Sequence, residues 1–310
     1  MLKGLGLRVA SGAVLLGLVL AAIWLKGLLL AGLVGLAAVL GAHELYTMAR
    51  RAGYLPWYPA GVALALLLAL RGYLGASVGA PGPSAGSDPG LAAELIGLSL
   101  VLLLALARQG IAWWRAPAPT PGAEGSPTTS RGPYLAWADL GITLGGAVYT
   151  GGLLGYALLL AALPEGTAGR GGSGGGGGSA WLLLVLLGTA ACDTGAYFVG
   201  SAAGRHKLIP HISPGKTWEG LAGGALGAVL AAVALDGVLG ISALQALALG
   251  LVVCAAAVLG DLGESLVKRA AGVKDSGHIV PGHGGLLDRM DSILFVLPAV
   301  YWFVQVVAGT

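Results

Sequence analysis

Runs of about 20 apolar residues recur along the whole chain, and each is long enough to cross the ~30 Å hydrocarbon core of a bilayer as a helix. Nine can be placed, at roughly 8–25, 28–48, 56–75, 91–108, 135–163, 181–200, 219–237, 241–261 and 292–308. Composition agrees. The chain is 56% hydrophobic and 10% charged, whereas soluble domains carry roughly 25% charged residues. A chain of 310 residues so poor in polar groups could not cover its surface in water. The expected fold is all-α: a polytopic transmembrane helical bundle with about nine spans. Lys3 and Arg8 ahead of the first run could mimic a secretory leader. A second run follows Lys26 almost at once and no small-residue cleavage site stands out, so the first run is expected to stay as a span.

The bases orient this bundle. With the N-terminus in the cytoplasm, only Lys26, Arg71 and Arg170 fall outside, and the other 14 of the 17 Lys and Arg fall inside. Cytoplasmic loops carry the excess of Lys and Arg, so this is the expected orientation, with the C-terminus outside. The net charge of +3 is too small to imply nucleic acid. Cys192 and Cys254 both lie in apolar runs and read as buried thiols rather than a disulfide framework. Residues 116–133, rich in Pro, Thr, Ser and Gly, read as a cytoplasmic linker, and "GRGGSGGGGGS" (169–179) as a flexible external loop. The linker divides the chain into N-terminal helices (1–133) and a C-terminal region (134–310). Gly145, Gly146, Gly151 and Gly152 make a break in the fifth span plausible, and Gly220, Gly223, Gly224 and Gly227 permit close packing of the seventh.

Polar chemistry gathers in residues 193–291, which hold eight of the 14 acids, seven of the 17 bases and four of the five histidines. Two loops dominate, 201–217 and 262–291, and the two spans between them bring both out on the cytoplasmic side. Asp193 lies about seven residues, or ~10 Å, below that end of the sixth span, and an acid inside a membrane helix calls for a partner or a function. Asp261, Glu264 and Lys268 share one helix face, as do Asp288 and Asp291. Each group alone could be an ordinary charged helix end. Together they gather carboxylates without cysteine pairs, which suits a hard cation such as Mg²⁺. Zinc is disfavoured, because no H-E-x-x-H or cysteine pair accompanies the histidines.

The bases on the same loops, Arg205, Lys207, Lys216, Lys268, Arg269, Lys274 and Arg289, call for anions. Ser213 before Pro214 reads as a helix start with free N–H groups, and "PGHGG" (281–285) lets backbone approach a ligand closely. Metal ligands and phosphate binders in one place read as a phosphoryl or nucleotidyl transfer site.

"SLVKRAAGVKDSGHIVPGHGGLLDRMD" (265–291) closely resembles the signature of phosphatidate cytidylyltransferases, the CDP-diacylglycerol synthases. Ser, Lys-Arg, Lys-Asp, His-Gly-Gly and Asp-Arg-x-Asp are all present. "CDTGAYFVGSAAGRHKLIPHISPGKTWEG" (192–220) looks like the family's second block, with Arg205 before His206 where the family commonly has Gly-Lys-His. The first half of the chain resembles the family only as hydrophobic spans. The resemblance implies CTP and phosphatidate as substrates, CDP-diacylglycerol and pyrophosphate as products, and a place in phospholipid biosynthesis. It also implies Mg²⁺, with room for a monovalent cation such as K⁺ beside it, and a homodimer in the cell (inner) membrane whose site faces the cytoplasm. On that reading Asp193, Asp261 and Asp288 hold metal, while Asp288, Asp291 and Lys274 serve the chemistry. Arg205, Lys207, Ser213, Lys216, Lys268, Arg269, His283 and Arg289 meet phosphates or nucleotide. Two alternatives stand beside it. A CTP-dependent lipid or polyprenol kinase would share the metal and phosphate demands. An ion-coupled transporter would place its charges at the midplane of paired broken helices rather than in one-sided loops.

Overall fold

The computed structural model describes residues 2–77, 133–164, 177–277, 279 and 284–308. The expected fourth span (91–108), nearly all of the 116–133 linker, most of the Gly-rich loop, and His278 and His283 lie outside these residues. Helices stand at the other eight expected places. They are α1 (Leu2–Leu25), α2 (Gly27–Arg51), α3 (Tyr58–Ser77), α4 (Pro133–Ala147) running on into α5 (Tyr156–Ala161), α6 (Gly178–Ala203), α7 (Trp218–Ala234), α9 (Ala243–Ala270) and α10 (Leu287–Ala308). A one-turn helix α8 (Asp236–Leu239) follows α7. Among the described residues five runs are long and apolar enough to cross a membrane: Gly27–Arg51, Leu135–Ala161, Gly178–Ala203, Ala243–Ala270 and Leu287–Val306.

The glycine-rich fifth run does depart from α-helical winding. Val148–Gly152 form a π turn between α4 and α5. Its cause is local: Gly151 sits directly on the backbone of Ala65 in α3, where a Cβ would overlap the Ala65 carbonyl. The π turn widens the helix at the point where another backbone presses on it. The α1–α2 junction is a one-residue break at Lys26, with Lys26 and Gly27 both at positive φ (50° and 55°).

The C-terminal half is built around the α6–α7 pair. A Cβ on Gly195 would overlap the carbonyl of Gly223, and one on Gly227 the carbonyl of Ala191, so the two backbones touch. Close approach through small residues is how apolar helices associate where burial from water supplies no driving force. Gly223→Leu is expected to lower the yield of monodisperse protein several-fold in size-exclusion chromatography, since its side chain would have to displace Val199 and the Gly195 carbonyl. A full yield would mean that α6 and α7 can part without loss.

Between α6 and α7 the sequence reading needs a correction. Ser213–Pro214 does not start a helix. Ser213–Thr217 form β2, antiparallel to β1 (Lys207–Ile209), with Lys207 opposite Thr217 and Ile209 opposite Ser213. The helix begins at Trp218, capped by Thr217, whose hydroxyl accepts from the Gly220 N–H at 3.1 Å. "TWEG" offers a better start than "SPGK", because its cap is followed by an acid, Glu219, in the first turn. Helix α6 also runs on to Ala203, so Asp193 lies ten residues, about 15 Å, from its end rather than seven. Residues 262–270, expected as loop, are the last turns of α9.

Candidate active site

Lys216 at the end of the β-hairpin forms an ion pair with Asp261 on α9 at 2.5 Å. The two polar segments therefore do meet. Beside this pair lies a cleft of about 510 Å³, lined by Asp193, Tyr197, Leu208, Lys216, Thr217 and Asp261 among others. Its size lies in the range of small-molecule sites. Asp193 and Asp261 thus share one cavity, with a cation between cleft and helix. Asp291 on α10 lies within electrostatic reach of both. It gets there because Gly260 lets α10 lie against α9: a Cβ at 260 would overlap the Asp291 carbonyl.

A second cluster sits one turn further along α9. Lys268 Nζ lies 3.0 Å from Glu264 Oε2 and 2.7 Å from Asp288 Oδ1. Glu264 is fully buried, and its Oε1 has no hydrogen-bond partner among the described residues. Asp288 Oδ2 accepts from the backbone N–H of Ser276 at 3.0 Å, its hydroxyl at 2.9 Å and the Gly285 N–H at 3.3 Å. Asp288 therefore ties Ser276 to Gly285 and does not line the cleft that Asp193 and Asp261 share. Lys268, expected to clamp phosphate, is shared between two carboxylates.

The remaining expected residues scatter around these clusters. Arg205 and Lys207 are exposed at the hairpin base, where Glu219 accepts from the Arg205 N–H at 3.2 Å and lies 2.6 Å from His206 Nδ1. Ser213 is half-buried in β2. Arg269, Lys274 and Arg289 are exposed within the signature segment itself. His283 lies outside the described residues.

Glu44 was not anticipated. It sits on α2, is 2% exposed, and binds the signature segment. Its Oε1 accepts from the Leu286 N–H at 3.0 Å, and its Oε2 from the Leu287 N–H at 2.8 Å. One signal could have found it: it is the only acid before Asp88, inside an apolar run.

Among the described residues no three His, Cys, Asp or Glu side chains converge closely enough to cage a metal ion unaided. Asp193, Asp261 and Asp288 do not form such a trio. The cleft still suits Mg²⁺, which keeps several waters and takes one or two carboxylates plus substrate phosphates rather than an all-protein cage. The crowding of Asp193, Asp261 and Asp291 points the same way, because clustered acids require positive charge.

The sequence model of the Cytidylyltransferase family matches residues 144–307, just over half of the 310-residue chain. A phosphatidate cytidylyltransferase of Bacillus subtilis is 51% identical over 112 residues, 36% of this chain and 42% of that protein. One from Synechocystis sp. is 40% identical over 190 residues, 54% of this chain and 62% of that protein. The uncharacterized protein YnbB of Escherichia coli is 44% identical over 128 residues, 41% of this chain and 43% of that protein. The chain thus spans less than two thirds of the length of each. Matched over most of α4 to α10 and folded there around a Lys216–Asp261 cleft, the chain belongs to the cytidylyltransferase family.

Proposed function

We propose that the protein transfers the cytidylyl group of CTP to phosphatidate, giving CDP-diacylglycerol and pyrophosphate for phospholipid biosynthesis. The observation that carries this reading is the meeting of the two polar segments at one cleft, Lys216 from the first on Asp261 from the second, within the family match. A phosphate oxygen of phosphatidate attacks the α-phosphorus of CTP in line. A new P–O bond forms, the bond from the α-phosphorus to the β-phosphate bridging oxygen breaks, and pyrophosphate leaves. The nucleophile is already an anion, so no strong base is needed. The obstacle is bringing anions together: two unit charges 4 Å apart repel by about 4 kcal/mol at an effective dielectric near 20.

Lys216 meets this demand inside the cleft, and the exposed bases Arg205, Lys207, Arg269, Lys274 and Arg289 outside its lining would draw the anionic substrates in. Asp193 and Asp261 would hold a divalent ion, Mg²⁺ by their hard oxygen donors, with Asp291 and then Asp288 continuing the acid row along α10. The chemistry the ion supplies when bound is neutralisation of charge between the two phosphates. Around the site we place a nine-span bundle with its N-terminus and cleft on the cytoplasmic side of the inner membrane. A soluble nucleotide then arrives from water while the acyl chains stay in lipid. Residues 134–310 form the catalytic region, and the protein works as a homodimer.

Purified protein with phosphatidate and labelled CTP is expected to release pyrophosphate and CDP-lipid in equal amounts. EDTA should abolish both, and Mg²⁺ should restore both. Release of CDP in place of pyrophosphate would make the protein a kinase, and turnover unaffected by EDTA would remove the metal from the reading.

A further inference from the structure

The geometry points to Glu44 as a positioning residue that fastens the signature segment from the N-terminal half of the chain, so that the first helices are part of the active-site architecture. The inference rests on the function proposed above for its kinetic arm only. Glu44 and Leu287 are 243 positions apart, yet the Glu44 carboxylate takes both the Leu286 and Leu287 N–H groups, at 3.0 and 2.8 Å. These are free donors at the start of α10, which carries Asp288 and Asp291. Helix N-termini leave their first N–H groups unsatisfied and favour a negative charge, and here the charge comes from another helix.

A relay extends this hold. The Ser276 hydroxyl lies 3.2 Å from Glu44 Oε2 and 2.9 Å from Asp288 Oδ2, with a single proton to give between them. Glu44 therefore reaches Asp288 through one side chain, and Asp288 reaches Lys268. Nothing larger than glycine fits around this junction. A Cβ at Gly277 would overlap the Glu44 carboxylate, and one at Gly285 would overlap the Ser276 hydroxyl. Gly285, expected from the sequence to let backbone approach a ligand, instead makes room for the Ser276 hydroxyl, and Gly277 makes room for the Glu44 carboxylate. A buried carboxylate with three protein donors is costly to place unless those bonds are all made, so it holds one arrangement of the segment.

Glu44→Gln tests this. A glutamine keeps the size but offers one acceptor oxygen and turns an NH₂ towards a donor. In the full chain in detergent, amide exchange at residues 284–289 is expected to quicken at least tenfold, with the melting midpoint within a few degrees of wild type. kcat is expected to fall at least tenfold, while KM for CTP stays within about threefold because the cleft at Lys216 is untouched. Ser276→Ala, a milder change that keeps the Glu44 cap, should give the same pattern at about a third of the size, and it carries the test if Glu44→Gln does not fold. Wild-type exchange at 284–289 in whichever variants fold, or wild-type kcat in Glu44→Gln, overturns the inference. If the wild-type protein forms no CDP-lipid, the proposed function fails while the exchange measurement still decides the role of Glu44.

Discussion

Lys268→Met is expected to lower the melting midpoint of the detergent-solubilised protein by roughly 6–20 °C, from about 3–5 kcal/mol for breaking a buried ion pair and about 2–4 °C per kcal/mol. The ammonium lies 3.0 Å from Glu264 Oε2 and also holds Asp288 Oδ1 at 2.7 Å. Its side chain is 16% exposed, that of Glu264 0% and that of Asp288 16%, so water has little access to the Glu264 end of the pair. Removing it leaves two carboxylates facing each other, with Glu264 Oε1 already unpartnered. The cause is separable from loss of bulk. Glu264→Gln added to Lys268→Met removes the worst of the uncompensated charge and is expected to recover more than half of the lost stability. Additive losses in the double variant, followed by thermal melts, would show that Lys268 holds the fold by packing rather than by charge.

This cluster shows what the sequence could and could not convey. The Glu264–Lys268 contact follows from i,i+4 spacing on one helix. The Lys268–Asp288 contact does not, because it depends on how α10 lies against α9 through Gly260. Helices at the eight expected places within the described residues were legible because length and hydropathy decide them, and five of those runs are long and apolar enough to cross a membrane. The π turn was legible as a glycine cluster, though which backbone would press on it was not. Counting spans showed that the two polar segments could share a side, since two helices between them return the chain there, but not that Lys216 would pair with Asp261. Glu44 was hidden for the opposite reason. Two of its three partners are backbone N–H groups, which carry no side-chain signal, and all three lie more than 230 positions away. The hairpin was misread because Ser-Pro and Thr-Trp-Glu both resemble helix starts, and only the pairing of Lys207 with Thr217 decides between them.

Asp261→Asn is expected to cut turnover about a thousandfold while leaving the fold intact. The two expectations come from different magnitudes. As an ion pair, Lys216 and Asp261 are 22% and 34% exposed, and a pair so open to solvent contributes about 1 kcal/mol or less to stability. In the reaction, losing one neutralising interaction between close anions forgoes about 4 kcal/mol, and at about 1.36 kcal/mol per tenfold that is close to a thousandfold. Lys216→Met separates the two halves of the pair. It keeps the acids and removes the base, so KM for CTP should rise at least tenfold while the Mg²⁺ concentration for half-maximal rate falls, because Asp261 no longer has an internal counter-ion. Asp261→Asn should instead leave no Mg²⁺ concentration that restores the rate. A variant at 261 that keeps a tenth or more of wild-type turnover would remove the cleft from catalysis, and the chemistry would then have to lie at the Glu264–Lys268–Asp288 cluster.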